Sequence, residues 1–172
     1  MANPKHLTPE EMYALAAFSI LEGSPDLADT HAQLKVAAVV INRTNASNWK
    51  REFGSGVLDQ LFARGQFEVQ TRYGLDREDF GSLDLAAQAL ADAKAGLSAQ
   101  WAREKMINFM RDAANTEKYT AAATEIGDAT GFRGDGRTNT FRRESRYDDA
   151  NIGSKQPSSL VVDWPRGTTP PF

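Results

Sequence analysis

Between Val36 and Ile41 the chain reads VAAVVI, an uninterrupted apolar run inside the longer stretch THAQLKVAAVVINR. A surface helix shows the core only one stripe, so a run that is apolar at every position has to be enclosed on all sides by the rest of the chain. A buried strand would meet the same demand. Ala37 and Ala38 disfavour that, and Thr30 with Gln33 forms a capping-box pattern just ahead of the run, so the residues predict a central helix ending near Asn42.

The segment before it supplies the first layer. Thr8-Pro9-Glu10-Glu11 is a capping box with proline at the first helical position, and Leu7 and Met12 are spaced for a hydrophobic staple. The helix is expected to start at Thr8 and to read on from Met12 until Glu22, with Gly23 in a left-handed cap and Pro25 preventing continuation. At 3.6 residues per turn Glu22 shares a face with Leu15 and Phe18, so a carboxylate ends an apolar stripe.

After the central helix the signals weaken. A short helix is expected around Val57 to Phe62, and the alternation of Phe67, Val69 and Thr71 in RGQFEVQTRYG suggests a small hairpin or extended loop. Ser82 caps an alanine-rich helix from Leu83 to about Ala95 that Gly96 closes; Trp101 to Ala114 and Thr116 to Ile126, the latter with Thr116 as cap, read as two further helices. Beyond Ile126 glycine, aspartate and asparagine are too frequent for one long helix. Residues 148–172 read as an extended, proline-rich tail packed across the body through Val161, Val162 and Trp164. The fold class is mainly α with a small β-hairpin or extended element.

With 172 residues and 41% hydrophobic content the chain can build one real core, and a single domain over 1–172 is expected. Its net charge of -3 excludes the strong basic field of a general nucleic-acid binder. The absence of cysteine excludes disulfides, thiolate nucleophiles and cysteine-ligated zinc. His6 and His31 lack ligand spacing, and Asp148, Asp149 and Asn151 lack that of a calcium loop, so neither a metal nor another cofactor is predicted. No stretch reaches the roughly 18 apolar residues of a membrane span, and MANPKHLTPEEM has no signal-peptide core, which leads us to expect synthesis in the cytoplasm and delivery to any target outside it.

GFRGDGRT, from Gly131 to Thr138, imitates a phosphate-binding loop with Arg137 in place of lysine. Its flanks offer neither the strand nor the helix that such a loop requires, so a turn is expected. Arginines 133, 137, 142, 143 and 146 make a locally positive stretch whose ordinary reading is a solvated loop with internal ion pairs.

Glu22 carries the strongest chemical case. The negative end of a helix dipole and an apolar stripe both favour the protonated carboxyl, which is what a general acid at near-neutral pH requires. Helix-terminal glutamates are nonetheless common and mostly ordinary, so from composition alone the reading as a surface acid prevails.

The order LAAFSILEG, VAAVVINR, GVLDQLFARGQFE resembles the spore-cortex-lytic-enzyme-like family of cell-wall hydrolases, which have a lysozyme-like fold. The positions that carry the likeness are Glu22, Asn42-Arg43 and Gln66-Phe67, with EIGDATGFR extending it to about residue 135. The chain departs from the family pattern where many relatives place a second acid, here Asp26, and where a histidine often follows Ile-Gly.

The resemblance implies a muramidase or lytic transglycosylase acting on peptidoglycan glycan strands, with Glu22 as general acid. Asp26, or else Asp29, is the candidate for activating water, and Gln66, Phe67 and Tyr73 are the candidates for lining the sugar cleft. Phe67 could equally be core. A phage lysis enzyme and a delivered antibacterial effector both suit the absent signal peptide; the effector would also meet an immunity protein and a secretion machine. The competing reading is a non-catalytic wall-binding or structural module on the same scaffold, dependent on the arginines rather than on Glu22.

Overall fold

The computed structural model describes residues 2–144 and 152–172, and Arg146, Asp148, Asp149 and Asn151 lie outside them. The fold is mainly helical with a small β element. The central helix is α2 (Thr30–Asn45), and every residue from Val36 to Ile41 is fully buried. Around it pack α1 (Pro9–Gly23), α3 (Ser47–Phe53), α4 (Val57–Leu61), α7 (Ala99–Ala114) and α8 (Thr116–Ile126), which is the enclosure its apolar run demands. The remaining helices are α5 (Glu68–Tyr73) and α6 (Leu83–Ala93).

Helix α1 starts as expected: the Thr8 hydroxyl accepts from Glu11 N and the Glu11 carboxylate accepts from Thr8 N. Phe18 on its inner face meets Phe62, Phe67 and Phe80 edge-on, with centroids 5.2, 5.7 and 6.2 Å away. Such edge-to-face contacts add to the burial of the rings.

Gly23 is helical, not a left-handed cap. A Cβ there would lie 2.8 Å from Gln33 Cα and 2.9 Å from Gln33 N, so glycine lets α1 and α2 touch. The left-handed position of this connection falls on Leu27, with φ 58°, whose carbonyl accepts from Gln33 Nε2 and Lys105 Nζ. Asp29, rather than Thr30, caps α2 by accepting from Ala32 N at 3.0 Å, so Gln33 is free for Leu27. Helix α2 also runs past Asn42, because Asn42, Arg43 and Thr44 are buried with hydrogen-bond partners of their own.

Three other expectations change. Residues 68–73 form α5, a helix too short to show a 3.6-residue period, and left-handed Gly74 ends it. Asn115, not Thr116, caps α8. The hairpin lies instead at β2 (Gly131–Gly134) and β3 (Asn139–Arg142), antiparallel with Phe132 opposite Phe141. Its turn is the GDGR stretch, held by Asp135 accepting from Arg137 N and Thr138 N, both at 2.9 Å.

A second sheet joins the chain ends: β1 (Lys5–Leu7) pairs in parallel with β4 (Leu160–Val162). Leu160, Val162 and Trp164, rather than Val161, meet the core. No helix among the described residues is long and apolar enough to cross a membrane.

Candidate active site

Glu22 is the penultimate residue of α1 and is half-buried where α1 faces α5 and the β2–β3 hairpin. Its Oε1 accepts from Val69 N at 3.4 Å, one of the first-turn amides of α5 that have no partner within their own helix. Burial pushes the Glu22 carboxyl above the ordinary carboxylate range; the Val69 amide opposes this and the nearby charge of Glu68 adds to it.

Two cavities meet at this carboxyl. The larger, about 690 Å³, has Glu22, Arg43, Gln66, Phe67, Phe132 and Arg133 in its wall. The smaller, about 370 Å³, runs along the other side of Glu22 past Tyr73, Lys94 and Asn139. Glu68, Arg72 and Gly134 border both, so the two read as one groove with Glu22 near its middle. Each volume lies within the range of small-ligand sites.

One bank of the groove is the hairpin, which α2 and α1 hold in place. Asn42 donates from Nδ2 to Gly127 O at 2.9 Å and Ala129 O at 2.8 Å, and Arg43 Nε donates to Thr130 O at 2.7 Å. Asn42 Oδ1 in turn accepts from Gln156 Nε2. At the other end of the hairpin Asn139 Nδ2 donates to Glu22 O at 2.8 Å, satisfying a terminal carbonyl of α1.

Arg43 is buried in the floor, its guanidinium carbon 4.1 Å from the Trp49 ring centroid and 5.0 Å from that of Phe67. Burial pushes it down to about 10, against the pull of Glu144, and it stays cationic at neutral pH.

The candidates from the sequence divide clearly. Glu22, Gln66, Phe67 and Tyr73 border the groove, and Phe67 is both core and wall: it is 2% exposed and packs on Phe18. Asp26 borders neither cavity. It is exposed, and its carboxylate accepts from Ala28 N and the Ser24 hydroxyl, bonds that hold it below the ordinary range as a loop-forming group. Asp29 is the cap of α2.

The groove also contains Glu68, Arg43, Phe132 and Asn139, which were not predicted as site residues, and Arg133, which the sequence offered only within the arginine stretch of the binding-module reading. Asn42-Arg43 was visible as a motif but not as a support for a bank more than eighty residues away in sequence. The alternation of GFRG was the available signal for β2, and it was outweighed by the turn residues after it.

Comparison with protein-family models, with curated proteins and with solved structures gives no match to this chain.

Proposed function

We propose that this chain is a lysozyme-like peptidoglycan glycosidase that cuts between N-acetylmuramic acid and N-acetylglucosamine, with Glu22 as general acid. The observation that carries the reading is the place of Glu22: a half-buried carboxyl, pushed toward its protonated form, where two cavities join. A glycan lying along the groove would cross Glu22 with sugars on both sides, as an enzyme cutting within a chain requires. General acids in glycoside cleavage have their carboxyl pKa raised in this way.

In this mechanism Glu22 protonates the glycosidic oxygen as the bond from C1 to that oxygen breaks, and positive charge develops on the ring. Water, or the 6-hydroxyl of the muramoyl sugar, then adds to C1 and returns a proton to the Glu22 carboxylate. The first course leaves a reducing end and the second a 1,6-anhydro end. Gln66 offers an amide for sugar hydroxyls, and Phe67 and Tyr73 offer ring faces and edges. Glu68 acts through its charge, which keeps the proton on Glu22 to higher pH.

Mass spectrometry of purified peptidoglycan after digestion tests the reading. Muropeptides cut at the muramoyl bond, with either reducing or anhydro ends, are expected. Products cut only at amide bonds, or intact glycan that is bound but never cleaved, would replace the glycosidase with an amidase or a binding module.

A further inference from the structure

Resting on the reading of the groove as a glycan site, we propose that Arg43 and Arg133 form a subsite for a carboxylate carried by the sugar chain. Arg43 is only 4% exposed, yet its Nη1 has no hydrogen-bond partner. A buried guanidinium with an unmade bond is costly, and the hairpin does not need it. For the fold Arg43 donates from Nε to Thr130 O and lies over the rings of Trp49 and Phe67, while neutral Asn42 beside it already holds Gly127 O and Ala129 O. Neither that latch nor the two rings gives Nη1 a hydrogen bond. The planar guanidinium fork is the shape that recognises a carboxylate by parallel hydrogen bonds.

Arg133 stands on β2 at the rim of the same cavity. Elsewhere on the hairpin Arg142 pairs with Glu144 and Arg143 with Asp128, and across the groove Arg72 lies 3.8 Å from Glu68. Arg133 has no ion-pair partner among the described residues, and Arg43, although the charge of Glu144 acts on it, borders the same cavity, so two cations face the space a ligand would fill. A neutral chain of N-acetylglucosamine offers only hydroxyls and amides. A peptidoglycan strand offers carboxylates, either on the lactyl group of muramic acid once its peptide has been removed or on the stem peptide itself.

The test measures binding by calorimetry in the Glu22→Gln protein, with defined muramic-acid oligosaccharides in three forms: free lactyl carboxylate, lactyl amide, and stem peptide attached. At least one carboxylate-bearing form is expected to bind about tenfold more tightly than the amide, the size of one charge-assisted hydrogen bond. The tighter of the two charged forms identifies the source of the carboxylate. Arg133→Gln, at an exposed position, and Arg43→Lys, with its fold checked by circular dichroism, should each bring the ratio toward one. Equal binding of charged and amide forms, or a full preference retained in Arg133→Gln, overturns the subsite. No binding of any form removes the glycan reading itself, which is a different result.

Discussion

The side-chain amide of Asn139 donates to the backbone carbonyl of Glu22 at 2.8 Å, so the tip of the β2–β3 hairpin is fastened to the residue that we place at the centre of catalysis. One bank of the groove and its acid are thereby fixed relative to each other. Asn139→Ala should cost about 1 kcal/mol, or roughly 2–4 °C in Tm, because the bond is partly exposed. Turnover should fall more than stability suggests, about tenfold or beyond, since small displacements of catalytic groups are expensive. Thermal melts and initial rates on peptidoglycan check this; unchanged turnover with a lowered Tm would make the bond purely structural.

Asn42→Ala tests the other end of the hairpin. It leaves two backbone carbonyls and the Gln156 amide without their buried partner, at a cost of about 3 kcal/mol. A Tm about 6–12 °C below the parent's is expected in a thermal scan.

Gly23→Ala tests the contact between α1 and α2. The added Cβ meets Gln33 backbone atoms at 2.8 and 2.9 Å, and backbone cannot turn aside as a side chain does. A loss of about 1–3 kcal/mol is expected from denaturant titration. Because Glu22 is the preceding residue, activity should fall with it.

The pH dependence has a definite sign. Glu22 must hold its proton to act, so activity is lost as pH rises through a value above the ordinary 4.5. Glu68→Gln removes the like charge that helps keep the proton on, so the alkaline limb of the pH–rate profile should move to lower pH. A limb that stays in place would mean that Glu68 does not act on Glu22 through its charge.

Stability responds through the same group. The folded-state pKa of Glu22 is raised, so its favourable contribution is complete below about 4.5 and disappears as pH rises through the folded value. Glu22→Gln should therefore melt above the parent at pH values beyond that range, and the two should converge in acid. A difference in Tm that is the same at every pH would contradict burial of the charge.

What could be read from the sequence follows from how local each signal is. The capping box of α1 and the apolar run of α2 are local: α1 starts as expected and the run lies in a buried helix, although Asp29 caps α2 and the helix continues past Asn42 to Asn45. The place of Glu22 at the end of a buried helix was legible because that helix and its apolar stripe lie in one stretch, although Gly23 does not take the left-handed cap expected there. The far bank was not, because it depends on Asn42 and Arg43 reaching Gly127, Ala129 and Thr130, a relation between distant segments. Helix α5 was missed because so short a helix shows no period, and alternation at Phe67 and Val69 reflects burial against α1 instead of a strand. Asp26 was placed by analogy of spacing, and its side chain closes its own loop.

Turnover by Glu22→Gln on purified peptidoglycan, with the fold verified by its melt, tests the account most directly. Glutamine preserves the shape but has no proton to give, so muropeptide release should fall by at least 10²-fold, the usual contribution of a general acid. A folded Glu22→Gln protein that releases muropeptides as fast as the parent would contradict the assignment of the acid.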